Sequence, residues 1–348
     1  MTTRGPVNWH GPVIAILLVI AALRLGRDFV LPVIVAVLLA LLLGTPVRWL
    51  TRRWIPAPVA AAIVVLSAVS VGVGAVALLS GPAMQWVSTA PRTLKKVETR
   101  LRRLTQPFTA LQQSADRMQQ AAGPPSSPST GEVRVATPGI VERVSLGSLA
   151  AVPVTLAVTF LTYFLLASGA LFRRKLAALL PGVDELARRE HLLTAIQVTA
   201  SRFLGTITLI NLTTGALTAL ALWALDLPNP LLWGGVAAAL NFVPYLGPMT
   251  GVALIGIASF VTFDDPVQAL LPPAAFLLIH MVEGNLVTPM LLGRRLPVNT
   301  VAIFLGLLFF GALWGIPGAI LAVPLTVCLK LVCDHLPSLA HVGALLDN

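Results

Sequence analysis

Apolar residues run along this chain in blocks too long for a soluble core. Residues 12–23, 29–47, 58–79, 150–171, 203–225 and 267–282 contain no Asp, Glu, Lys or Arg. A bilayer-spanning helix asks for about 20 apolar residues, so these blocks predict about six full spans. The first is short and relies on Arg24 and Arg27 at its end to reach the interface. Two further blocks, 231–260 and 300–332, are interrupted. The first holds Pro244 and Pro248 around Gly247, and the second holds Gly311, Gly315, Pro317 and Gly318. Proline removes a backbone donor and clashes with the preceding helical turn. In hydrocarbon the freed carbonyls find no water, so broken backbone survives only inside protein or along a wet cavity. Halves of about 13 residues are too short to cross, and each block is expected to fold back as a re-entrant hairpin.

The charges between blocks set the expected topology. Arg48, Arg52 and Arg53 follow the second block with no acid among them, and Arg173, Arg174, Lys175, Arg188 and Arg189 follow the fourth. Short basic loops stay cytoplasmic, which places both termini in the cytoplasm. Two hairpins then also leave Arg294, Arg295 and Lys330 inside. Residues 186–198 are expected to lie along the membrane surface as an amphipathic helix. Arg202, just beyond them, is expected to pair with Glu190.

Residues 81–146 form the substantial water-facing region. Leu94, Val97, Leu101, Leu104, Phe108, Leu111, Ala115 and Met118 alternate spacings of three and four, a heptad seam suited to assembly. Pro107 argues against one continuous helix there. Residues 123–130, rich in Pro and Ser, read as a flexible linker. The chain thus divides into 1–80 (three spans), 81–146 (extramembrane, helical) and 147–348 (spans plus the broken-helix transport core).

Composition agrees. Of 348 residues, 56% are hydrophobic and 11% charged, against roughly 25% charged in soluble domains. The net charge of +10 sits in loops, where positive-inside topology accounts for it and nucleic-acid binding is not needed. Cys328 and Cys333 offer neither a disulfide framework nor metal spacing. No Walker A loop, G-x-S-x-G, H-E-x-x-H or paired C-x-x-C occurs, so no enzyme, cofactor or metal centre is expected.

Three motifs carry a resemblance. Asn241-Phe-Val-Pro-Tyr-Leu-Gly-Pro248, Val282-Glu-Gly-Asn-Leu-Val-Thr-Pro289 and Trp314-Gly-Ile-Pro-Gly-Ala-Ile-Leu-Ala-Val-Pro324 resemble, in order and separation, the autoinducer-2 exporter family of bacterial transporters. The similarity covers nearly the whole chain and is strongest from Pro181 to Asp334. Where the family often has glutamine, Thr206 follows Gly205. Where it tends to have proline at the start of the last segment, Thr300 follows Asn299. The resemblance implies an inner-membrane protein without ATPase parts, and a homo-oligomer for which a pentamer fits. Members are linked to export of autoinducer-2, and others to exchange of sodium or lithium for protons.

Polar residues inside apolar blocks are costly, at about 2.5–3.5 kcal/mol for a charge on insertion scales, and mark pathways. Glu283 closes the sixth block, with His280 one turn before it and Asn285 just after. A carboxyl at that border is equipped to carry a proton or hold a cation; capping the helix and bonding Asn285 is the structural alternative. Asn241 could bond the carbonyls freed near Pro244 or a polyol-like solute. Tyr245 offers an aromatic face with a hydroxyl tip, and Gly247 and Pro248 shape the turn. Asn211 could line the path or join helices. Gly311, Gly315, Pro317 and Gly318 serve packing or hinging. Three functions fit: a proton-coupled exporter of a small polar solute, a sodium–proton antiporter using the same acid, or a non-transporting membrane scaffold.

Overall fold

The structure, a computed structural model, describes residues 10–120, 140–179, 186–292, 298–335 and 340–347. Among these, every regular element is helical. They run α1 (His10–Leu25), α2 (Arg27–Thr51), α3 (Ala57–Gln120), α4 (Ile140–Ala167), α5 (Gly169–Leu179), α6 (Leu186–Ala224), α7 (Pro230–Leu240), α8 (Leu246–Thr262) and α9 (Pro266–Val282). A π-helical turn (Glu283–Val287), α10 (Thr288–Leu292), α11 (Thr300–Trp314), α12 (Ile316–His335) and α13 (Ala340–Leu345) complete the chain. Five stretches are long and apolar enough to cross a membrane: α2, Ala57–Thr89 of α3, Ala187–Ala224 of α6, Pro266–Leu292 through the π turn, and α12. The end of α4 with α5, bent by 83°, makes a sixth if counted as one broken span. Leu209, Leu212, Leu220 and Trp223 of α6, and Leu305 and Leu308 of α11, all stand exposed, the apolar exterior that a lipid solvent requires. This is an all-α, multi-pass membrane chain.

Antiparallel helix pairs build the interior. Within the α6–α7 pair, a Cβ on Gly234 would lie 2.5 Å from the Gly215 carbonyl oxygen and 2.6 Å from Ala219 Cβ. Small residues therefore let the two backbones touch, as membrane helices do where packing rather than water drives association. The α8–α9 pair is tied by Ser259 Oγ donating to the Ala269 carbonyl at 2.7 Å, and Gly251 seats the Phe276 ring. Leu222, Trp233, Ala237, Ile255, Ala258 and Phe276 form the core between these pairs. Trp86 of α3 meets Trp233 edge-on at 5.2 Å. A second core joins Leu38 of α2 and Phe203 of α6 to Ile303 of α11 and Val327 of α12. Trp314 Nε1 donates to the Leu23 carbonyl at 3.0 Å, attaching α1. Buried Lys330 pairs with Asp334 at 2.7 Å (Nζ to Oδ2) and with Asp347 at 3.6 Å, fastening the C-terminal segment.

Several expectations change. No break occurs at Pro107: α3 is one helix of 64 residues, about 96 Å at 1.5 Å per residue. The side chains of its 94–118 seam, like the 123–130 linker, Asp184, Glu185, Arg294 and Arg295, lie outside the described residues. The surface helix and fifth span are a single helix of 39 residues, α6. Hydrophobic pattern cannot separate a helix lying on the membrane from one projecting out of it. What differs is a tertiary neighbour: α5 packs there, with Arg174 Nε bonding Glu190 at 3.3 Å. Arg202 does not pair with Glu190; twelve positions along one helix separate them by about 18 Å. The sixth span does not stop at Val282 but continues through the π turn to Leu292.

Candidate functional site

The break between α7 and α8 closes in a tight turn. Val243 N–H donates to the Leu240 carbonyl at 2.9 Å, Leu246 N–H to Pro244 at 2.6 Å, and Gly247 N–H to Val243 at 2.9 Å. Pro244 has no amide to satisfy. Tyr245 then takes φ 61°, a region that costs a side-chain-bearing residue on the order of 1–3 kcal/mol. Its ring is exposed. Gly247 is buried against the Leu240 carbonyl, and a Cβ there would overlap both its carbon and its oxygen. Pro248 follows in the first turn of α8, half-buried, where its ring is tolerated.

Asn241, at the end of α7, does not turn to the carbonyls near Pro244. Its Nδ2 donates to Asn211 Oδ1 at 2.9 Å. Asn211 is 2% exposed, and its own Nδ2 has no partner among the described residues. Thr214 and Thr218 follow on the same face of α6, both buried, and the Thr218 hydroxyl is likewise without a partner. An unmade buried hydrogen bond costs about 1–3 kcal/mol. Beside the break, then, lies a column of polar groups with donors to spare.

Glu283 opens the π turn. Thr288 N–H reaches back to the Glu283 carbonyl, one residue further than in an α-helix. The cause is local: Pro289 would clash with the carbonyl four residues earlier, Asn285, and a wider turn moves that carbonyl aside. The Thr288 hydroxyl also donates to Glu283 Oε1. The Glu283–Asn285 bond of the structural alternative is not formed; Asn285 Nδ2 donates instead to the Met281 carbonyl at 2.8 Å. His280 lies against Phe276, ring centres 4.4 Å apart and planes tilted by 41°. No hydrogen bond or ion pair joins Glu283 to His280 or to the Asn211–Asn241 pair among the described residues. Thr288 was missed from sequence, although a hydroxyl five residues beyond an intramembrane acid and just before a proline is a visible signal.

In the α11–α12 hairpin, Asn299 caps α11, its Oδ1 accepting from Ala302 N–H at 3.0 Å. A proline is not needed to begin that helix. Gly315 ends α11 at φ 69°, Pro317 sits exposed in the first turn of α12, and Gly318 lies against the Phe310 carbonyl. Gly311 faces Ala319 at 3.9 Å from its would-be Cβ. Val243, inside the first break, packs on Leu307 and Ala322 of this hairpin. The two interrupted segments therefore meet.

The sequence profile described as "AI-2E family transporter" matches residues 13–338. The chain belongs to the AI-2E family. Two relatives that align over almost full length are transport proteins by name. The AI-2 transport protein TqsA of Escherichia coli (strain K12) is 27% identical over 341 residues, 96% of this chain and 93% of TqsA. YhhT of the same strain, named as a candidate transport protein, is 28% identical over 319 residues, 91% of this chain and 87% of YhhT. The interrupted helices and polar column thus belong to an AI-2E membrane transporter.

Proposed function

We propose that this transporter exports a small polar solute of the autoinducer-2 class, driven by protons. The observation that carries the reading is the buried Asn211–Asn241 pair beside the helix break, with its spare Nδ2 donor. A polyol-like solute supplies the acceptors that such a donor lacks, and broken helices are where transporters hold their cargo. Glu283 carries the proton, its carboxyl held by the Thr288 hydroxyl. The name of TqsA, an AI-2 transport protein, supports this solute class. The α7–α8 and α11–α12 segments act as re-entrant hairpins, although α12 alone is long enough to cross, and Gly311, Gly315, Pro317 and Gly318 are hinge and packing positions of the second. The protein sits in the bacterial inner membrane with both termini cytoplasmic, and residues 81–146 lie outside the bilayer.

Flux in proteoliposomes under an imposed pH gradient tests this, with labelled autoinducer-2 and sodium offered in parallel. Asn241→Leu removes the amide at similar volume and leaves Asn211 wholly unpartnered, so solute flux should fall to the level of empty vesicles. Wild-type flux in that variant overturns the site, and sodium movement without solute movement replaces the exporter with an antiporter. The seam on α3 serves assembly into a homo-oligomer. Deleting residues 94–118 should lower the particle mass in detergent to that of a smaller assembly; an unchanged subunit number refutes it.

A further inference from the structure

A cavity of about 580 Å³ lies among α2, α4, α5, α6 and α12, away from the helix break. Its walls are almost wholly apolar, from Val37 and Leu41 on α2 to Leu166 on α4 and Ile196 on α6. Val37, Phe172 and Leu176 line it and are also exposed, so it opens at the flank of the molecule where hydrocarbon lies.

One end is different. Arg48 and Arg173 both line it. Arg48 Nη2 donates to Thr45 Oγ1 at 3.0 Å and to Ser201 Oγ at 3.2 Å. Arg173 Nη1 donates to Gln197 Oε1 at 2.8 Å. These neutral partners aim the guanidiniums without neutralising them, and neither arginine has a carboxylate within 4.0 Å among the described residues. Arg52 and Arg202 stand near enough to repel Arg48 as well. Such a concentration of cations beside an apolar cavity calls for an anion.

The geometry selects the anion's body. From Arg48 to Val37 the cavity follows one face of α2 for 11 positions, about 16 Å at 1.5 Å per residue. A free phosphate would fill only the basic end, and most of the walls would face nothing. A molecule with a phosphate at one end and hydrocarbon behind it matches both parts.

We propose that this cavity is a binding site for an anionic phospholipid, its phosphate held between Arg48 and Arg173 and one acyl chain laid along α2 towards Val37. Basic pockets between membrane helices on the cytoplasmic side are suited to such headgroups, and the basic loops place this end there. The lipid would brace α4 and α5 at their 83° bend, a place where protein alone leaves space.

Native mass spectrometry of the purified full-length protein tests it, with titration by phosphatidylglycerol and, separately, phosphatidylcholine of the same chains. Phosphatidylglycerol should bind about thirtyfold more tightly, as two guanidiniums at roughly 1 kcal/mol each imply. The preference should vanish in Arg48→Gln/Arg173→Gln and persist in Arg52→Gln/Arg53→Gln, which removes the same two charges outside the cavity. Ala40→Leu, which narrows the cavity along α2 and keeps both arginines, should lower phosphatidylglycerol occupancy; it stands in where the double variant fails to fold. Equal binding of the two lipids, preference retained in Arg48→Gln/Arg173→Gln, or full occupancy in Ala40→Leu overturns the proposal. So does complete displacement of phosphatidylglycerol by inorganic phosphate, which would mark a free-anion site.

Discussion

In Glu283→Gln, flux driven by a pH gradient is expected to vanish, while exchange of labelled for unlabelled solute continues at the wild-type rate. The substitution is close to isosteric. Glutamine still presents an oxygen to the Thr288 hydroxyl that now holds Glu283 Oε1, and the π turn, fixed by backbone and Pro289, does not depend on the carboxyl. What is lost is the ability to take up and release a proton. An ionisable group within a membrane segment is retained at a cost of a few kcal/mol, and exchange without net flux requires no proton, so the two assays separate coupling from solute binding. Undiminished pH-driven flux in the variant would remove Glu283 from the mechanism. Loss of both activities would make it a solute contact or a structural acid rather than a carrier.

The second large effect concerns the backbone. Gly247→Ala should abolish the folded protein, read as loss of the monodisperse peak after extraction and a collapse of its thermal midpoint. A methyl group there overlaps the Leu240 carbonyl, which belongs to the last turn of α7 and accepts from Val243 N–H. Overpacking a core costs about 1–3 kcal/mol where side chains can yield; here the obstacle is main chain. Gly205→Ala is the control. Its Cβ would meet nothing within 4 Å in the middle of α6, so helix propensity alone acts and the change should stabilise by up to about 1 kcal/mol. If Gly247→Ala matched Gly205→Ala in stability, the close approach at the break would be wrong.

Elements governed by local chemistry were legible in the sequence. The break at Pro244–Pro248, the close of α11 before Pro317 and the basic stretches at the end of α2 and within α5 follow from residues a few positions apart. The family could be recognised from three motifs. What depended on partners far along the chain was not legible. Asn211 looks like any polar residue in a span until Asn241, thirty positions later, is seen to donate to it. That α6 continues from its charged first half into its apolar second, with α5 packed beside it, is not reported by periodicity. Pro107 is an ordinary helix breaker by composition, yet α3 runs through it. The cavity beside Arg48 is assembled from several helices and has no sequence signature. Lys330 gave its position but not its two acids, one of them in the C-terminal segment.

Val243 has a kinetic consequence. It is part of the first broken segment, yet packs on Leu307 and Ala322 of the second. Close-packed side chains exchange between discrete arrangements and do not deform smoothly. A rearrangement of the break must therefore dislodge Val243 from its seat on α11 and α12, or carry that hairpin with it. Opening to one side of the membrane and closing to the other would then share a single barrier. The two interrupted segments would move on one clock, and a state in which only one of them has rearranged would be rare for mechanical reasons.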